Sequence, residues 1–195
     1  MTDREFLKKL DVHYDITKIQ AAMDDHYSLF GEDNVILLNS HAKSKNPLKD
    51  FSGWLPDDVS EDDFTTINEE FRGTAFEELL QQLPFPYRRA RLMRMPKKSC
   101  LTIHIDTCLR YHYAIKTNPA CFLVHMQDRT GQFHHVPADG FLYEMDGTEV
   151  HTAMNASKEE RIHMVISSMK FDNIEERRPD AFYPPEMTRL RTGSQ

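Results

Sequence analysis

From Tyr87 onward the chain breaks into short segments in which apolar and polar residues alternate. These are RRARLMRMP, SCLTIHID, RYHYAIKT, ACFLVHMQ, GQFHHVP, GFLYEMD, EVHTAMN and RIHMVISSM, separated by PKKS, TCL, NP, DRTG, ADG, DGT and ASKEE. A period of two, bounded by turn residues, is the pattern of a β-strand with one face toward a core. Short strands at this spacing predict a mainly β chain, a jelly-roll or cupin-like barrel (a double-stranded β-helix), rather than a parallel sheet.

Upstream, to about Leu83, the texture is helical. REFLKKL and DITKIQAAMDDHYSLF place Ile16, Ile19, Ala22 and Met23 at helical spacing, with Asp15 as the cap. NVILLN reads as a strand, and SHAKSKNPLKDFSGWLPDDVSEDD as a long polar loop. DFTTINEEFRGTAFEELLQQLPFP carries Phe64, Ile67, Phe71, Phe76, Leu79, Leu80 and Leu83 on one helical face. That helix is interrupted near Gly73, Thr74 caps its second part, and Pro84 and Pro86 close it. The expected organisation is a single domain: a helical N-terminal extension (1–86) packing on a barrel, the catalytic core (87–171), and a C-terminal tail (172–195).

Charge and cysteine usage exclude some classes. A formal charge of −7 over 195 residues argues against a protein that neutralises phosphates, so no nucleic-acid partner is expected. No apolar run reaches membrane length, and no basic-then-apolar leader stands at the start. Cys100, Cys108 and Cys121 have no CxxC spacing, which fits a reducing compartment. The expectation is a cytoplasmic protein without a membrane partner.

The stretch LTIHIDTCLRYHYAIKTNP sends polar groups to what should be a buried side. His104 and Asp106 share one face; Arg110, His112 and Ala114 share another, opposite Tyr111, Tyr113 and Ile115. Burying unpaired charge is costly, so such a face should surround a metal, an anion, water or a ligand. Two imidazoles and one carboxylate on one octahedral face leave positions open and suit iron(II). Of the later histidines His125, His134, His135, His151 and His163, His151 in EVHTAMN fits best as the third ligand, because Arg161 follows it by ten residues and returns to a similar depth. A buried arginine suits a carboxylate held bidentately, so a dicarboxylate would chelate the metal at one end and pair with Arg161 at the other. Read singly, each group has a plainer role. His104 and His112 suit hydrogen-bonded core histidines, Arg161 a surface arginine after SKEE, and Arg110 a structural partner of Asp106.

These residues carry a family resemblance. HIDTCLRYH, PADGFLYEMDGTEVHTAMN and ERIHMVI resemble the aspartyl/asparaginyl β-hydroxylase family of iron(II)- and 2-oxoglutarate-dependent oxygenases, which also includes bacterial proline hydroxylases. The resemblance spans about residues 90–168. It implies that His104, Asp106 and His151 bind iron, that Arg161 holds the distal carboxylate of 2-oxoglutarate, and that Arg110 and His112 line the co-substrate pocket. It further implies consumption of O2 and hydroxylation of an amino acid, either free or an aspartyl, asparaginyl or prolyl residue of a peptide or protein. The best-known animal members lack the carboxylate ligand that Asp106 provides here, which sets this chain closer to the free-amino-acid hydroxylases. The loop 39–54, with Trp54, and the tail around Phe182 and Tyr183 are the expected substrate lid. The alternative is a non-catalytic cupin-like module that binds a metal or small acid. A two-metal nuclease or phosphatase would need more carboxylates than these strands supply.

Overall fold

The alternating segments become strands of two facing sheets, and the larger sheet is apolar outside and carries both an apolar cluster and a polar stretch inside. The structure, a computed structural model, describes residues 5–127 and 130–168. In chain order its strands are β1 (Leu7–His13), β2 (Val35–Leu37), β3 (Asn39–His41), β4 (Phe64–Ile67), β5 (Ala90–Met95), β6 (Ser99–Cys100), β7 (Arg110–Lys116), β8 (Cys121–Gln127), β9 (Thr130–His134), β10 (Phe141–Met145), β11 (His151–Asn155) and β12 (Arg161–Ser167). The helices are α1 (Ile16–His26) and α2 (Ala75–Gln81).

The large sheet has the order β1-β10-β7-β12-β5-β2, the small sheet β6-β11-β8-β9, and β3 pairs with β4 alone. The pairings are antiparallel, and those of non-consecutive strands, such as β7 with β10 and β12 with β5, make this a jelly-roll barrel.

Alternation sorts the large sheet into two environments. Tyr111, Tyr113 and Ile115 of β7 and Ile162, Met164 and Ile166 of β12 pack with Ile19, Met23, Phe76, Leu79 and Leu80 of the two helices. The helices therefore cover the outer face. Between the sheets, Met95, Ala114, Tyr143 and Met145 meet Leu123 and Ala153 of the small sheet, with Phe6 inserted among them. Burying a ring of this size contributes about 2–3 kcal/mol. The inward positions of β7 and β12 left outside that cluster include Arg110, His112, Arg161, His163, Val165 and Ser167, all buried.

Helix α1 begins where its cap predicts: the Asp15 side chain accepts from Thr17 N at 2.9 Å. Helix α2 follows Thr74, whose hydroxyl donates backward to Phe71 O rather than capping. REFLKKL, expected to be helical, is instead the start of an edge strand. Pairing with β10 overrides the local spacing, and Lys8 and Lys9 stay exposed on that edge. DFTTI likewise forms β4 rather than helix, as the β-branched pair Thr65 and Thr66 favours. The segment over 1–86 thus contributes four strands beside its helices, and β1 and β2 join the large sheet. In SCLTIHID only Ser99 and Cys100 are a regular strand. The tail 172–195 lies outside the described residues. No helix among the described residues is long and apolar enough to cross a membrane, and the three cysteines are free.

Gly140 joins the N-terminal strand to this frame. Its φ is +79°, Tyr14 N donates to its carbonyl at 2.8 Å, and a Cβ there would lie 2.7 Å from both His13 Nε2 and Tyr14 O. Gly140→Ala is expected to lower stability by about 2 kcal/mol, read as a reduced urea midpoint at unchanged m-value.

Candidate metal centre

After β6 the chain runs irregularly from 101 to 109, yet backbone bonds pin it to the small sheet. His104 and His151 exchange two N–H···O bonds of 2.9 Å, an isolated bridge, and Asp106 N donates to Gly147 O at 2.7 Å. Side chains two residues apart are thereby aimed at the first residue of β11. Ligand atoms of His104, Asp106 and His151 all lie within 4.8 Å of one another. Gly147 is required by space alone, since a Cβ would meet Cys108 O at 2.5 Å and Asp106 Cβ at 3.0 Å.

The protonation of the two imidazoles follows from their partners. His104 Nδ1 lies 2.7 Å from Thr102 O, and His151 Nδ1 lies 2.8 Å from Glu149 O. A carbonyl only accepts, so each Nδ1 carries a hydrogen, which leaves Nε2 as the ring atom able to ligate. Burial, resisted by the nearby Asp106, pushes His151 down to about 4, which keeps it a neutral donor at pH 7. Asp106 Oδ2 lies 3.7 Å from His151 Nε2. Burial alone would raise the Asp106 carboxyl, but Arg110 and the two histidines hold it well below the usual carboxylate range.

Arg110 grips that carboxylate with both arms: Nε donates to Oδ2 at 2.7 Å and Nη2 to Oδ1 at 3.0 Å. Its remaining Nη1 bonds Ser167 Oγ, and Nη2 also lies 3.0 Å from Glu61 Oε1. Glu61 comes from the polar loop before β4. It accepts from Arg89 Nη2 at 2.8 Å and from Ser167 Oγ at 3.0 Å. Burial opposes its ionisation, yet Arg110, Arg91 and Arg89 bring it down to about 2. Removing one member of such a buried set costs about 3–5 kcal/mol, because the charge left behind has no partner.

Farther along β12 the wall changes character. Arg161 is 3% exposed, and its Nε and Nη1 have no hydrogen-bond partner among the described residues. Burial lowers its pKa to about 10. His112 and His163 lie with their Nδ1 atoms 3.5 Å apart and each Nε2 unpartnered. Burial, reinforced by Arg161, drives both well below the normal imidazole value. His112 also feels His151 and Asp106.

The predicted residues thus divide into two groups. His104, Asp106 and His151 come together, with Arg110 on Asp106, while His112 of β7 and Arg161 of β12 are buried on the inner face of the large sheet. Of the other histidines, His125 stacks on Phe6 at 4.5 Å and lies 3.9 Å from Glu149, and His135 Nδ1 lies 3.0 Å from Cys121 O. Sequence reasoning missed Glu61, Gly147, Arg89, Arg91 and Ser167. Arg89 and Arg91 had a signal, two cations at period two in the predicted strand RRARLMRMP; Glu61, in an acidic loop, had none. Of the expected lid, Phe51, Ser52 and Gly53 accept hydrogen bonds from Arg89 and Arg91 through their carbonyls. Phe182 and Tyr183 lie outside the described residues.

A jelly-roll barrel holding two histidines and an aspartate around one point defines the class of iron(II)- and 2-oxoglutarate-dependent oxygenases. The family model for aspartyl/asparaginyl β-hydroxylases matches residues 64–170, and the chain belongs to that family. No curated protein matches the sequence. Among solved structures, the chain is similar to a Pseudomonas putida prolyl-4-hydroxylase (11% identity, TM-score 0.49, 86% of this chain and 89% of that one). It is also similar to an oxidoreductase of the 2OG-Fe(II) oxygenase family from Burkholderia pseudomallei (14% identity, TM-score 0.47, 83% of each chain). A cupin domain from Bordetella pertussis Tohama I matches at 15% identity and TM-score 0.36, over 44% of this chain and 85% of that one.

The two deep histidines set a pH dependence. Folding depresses their pKa values below the free value of 6.5, so over the range just below that value the unfolded chain binds protons that the native state refuses. Their contribution is complete above about pH 6.5 and is lost as pH falls, at about 1.4 kcal/mol per pH unit for each histidine. His163→Asn in metal-free protein is expected to flatten the pH-stability slope by one proton, measured by urea unfolding between about pH 6.5 and 4.5.

Proposed function

We propose that the protein is an iron(II)- and 2-oxoglutarate-dependent dioxygenase that hydroxylates an amino acid, free or as a residue of a peptide or protein. The observation that carries this reading is the pairing of two sites across the barrel interior, one pinned to the small sheet and the other on β12 of the large sheet. His104, neutral His151 and ionised Asp106 converge within 4.8 Å, and Arg161 on β12 is buried with unfilled N–H groups. The donor set fits a divalent metal with open positions, and the orphaned guanidinium fits the far carboxylate of a dicarboxylate.

In this reading His104, Asp106 and His151 hold the iron, and Arg161 anchors the distal carboxylate of 2-oxoglutarate. When bound, iron and 2-oxoglutarate supply the oxidising power, using O2, to hydroxylate an unactivated carbon. The chain's own residues do the rest. Thr102 O and Glu149 O fix the imidazole tautomers. Arg110 acts on the site mainly through Asp106, keeping its carboxylate ionised and oriented. Neutral His112 lines the passage between metal and Arg161 with Nε2 available to the co-substrate. The apolar cluster of Phe6, Tyr143, Met145 and Leu123 keeps water out of the adjoining interior. We keep the chain as a single domain with 87–171 as its catalytic core, and the cytoplasm as its compartment, in line with its free cysteines.

Titration of 2-oxoglutarate into anaerobic, iron(II)-loaded protein is expected to produce the visible charge-transfer band of the chelate. His151→Ala should abolish the band, and Arg161→Ala should raise the 2-oxoglutarate requirement about a hundredfold, as for loss of one partner of a buried charge pair. No band in the wild type would leave the cupin-like binding module instead. Gly147→Ala, which crowds Asp106, is expected to weaken iron binding about tenfold or more while far-UV circular dichroism stays native.

A further inference from the structure

Four arginines are buried among the described residues: Arg89, Arg91, Arg110 and Arg161. Arg89 and Arg110 are neutralised by Glu61 and Asp106. Arg161 is assigned above to the co-substrate. Arg91 remains, 8% exposed, with no carboxylate within ion-pair distance among the described residues. Its Nε has no partner, and its one hydrogen bond, Nη1 to Ser52 O, is stretched to 3.4 Å.

Strand register separates Arg91 from Arg161. Arg91 lies opposite Val165 of β12, four residues from Arg161, which is about 13 Å along a strand. Val165 in turn lies opposite His112 on its other side, so Arg91 and His112 share a row two strands apart, about 10 Å. Arg91 belongs electrically with Arg89, Arg110, Glu61 and Asp106, all of which act on it. Arg89, Arg91 and Arg110 are all buried against two carboxylates, Glu61 and Asp106, which leaves one buried positive charge uncompensated. Above it lies the 51–54 loop, held by Arg89 through Phe51 O at 2.5 Å and Gly53 O at 2.9 Å, and ending in Trp54, which is 79% exposed.

We propose that Arg91 is a specificity-determining residue: its guanidinium binds a carboxylate of the substrate entering beneath the 51–54 loop, exchanging the weak Ser52 bond for a bidentate pair. The planar fork and the excess charge both favour an anionic substrate over a neutral one, and the substrate carboxylate is thereby separated from the co-substrate's at Arg161. Naming the anion a substrate rests on the oxygenase reading; the anion site itself does not.

The test titrates acetate into iron-free protein at constant ionic strength and follows thermal unfolding, with Arg161→Met as background so that the co-substrate anchor does not answer. A saturable rise in Tm is expected in Arg161→Met and its loss in Arg161→Met with Arg91→Met. Arg161→Met with Arg91→Lys keeps the charge but not the fork, and should need about tenfold more acetate. That variant carries the test should the methionine variant fail to fold. No saturable rise in the background, an undiminished rise after Arg91→Met, or equal affinity in the lysine variant would each overturn the proposal. The 2-oxoglutarate chelate band separates the two readings. Its absence from the wild type, with the acetate response intact, sinks the oxygenase reading alone. Its presence, with an acetate response indifferent to Arg91, sinks this proposal alone.

Discussion

The structure depends on the two-armed grip of Arg110 on Asp106 and the extension of that grip to Glu61. Asp106 lies in an irregular stretch with no regular strand of its own to orient it. Arg110 is the first residue of a central strand, buried in the large sheet, and it lends that rigidity to the carboxylate. Glu61 balances the second side of the same guanidinium and brings the polar loop before β4 into register with β5 and β12. Each ion in this set is tolerated in the interior only because the others are present. Order in the loop, the end of β12 and the candidate ligand carboxylate is therefore cooperative.

The second constraint is the division of labour across the large sheet. Its outer face gives an apolar surface to α1 and α2, and that packing supplies the burial that holds the sheet. The inner face makes only a smaller apolar cluster and elsewhere carries arginines and histidines that would otherwise destabilise it. Histidines placed there are neutral because the site is dry, which is the state a metal-binding or hydrogen-bonding imidazole requires. The stability costs of the site are met on the opposite side of the same strands.

Much of the barrel was legible because alternation is a local signal. Strands β7, β8, β10, β11 and β12 fall where apolar and polar residues alternate between turn residues, and Asp15 marked the start of α1 by its side-chain chemistry. Strands β1 and β4 were not legible as such. Leu7 with Leu10, and Phe64 with Ile67 and Phe71, satisfy a helical spacing equally well, and the choice was made by strand partners distant in sequence. Within the site, the H-x-D and R-x-H pairs and the ten-residue step from His151 to Arg161 were visible as spacing. Glu61 was not, because an acid in an acidic loop looks solvated until two arginines are found beside it. The need for Gly147 was equally hidden, since its φ is not in the left-handed region and only the closeness of Cys108 and Asp106 excludes a side chain.

By itself, the sequence determined the barrel class, the face each residue of β7 and β12 would occupy, and which side chains were chemically able to hold a metal and an acid. These follow from the fixed period of a strand and from the donor chemistry of each residue type. Tertiary structure alone decided that His104 and His151 would bridge, that Arg110 would be occupied by Asp106 and Glu61, and that Arg91 and Arg161 would be the buried arginines left without a counter-charge. Those outcomes turn on contacts between residues up to 49 positions apart, from Glu61 to Arg110. No local rule specifies such distances, because they are set by how two sheets and a loop close around one polar wall.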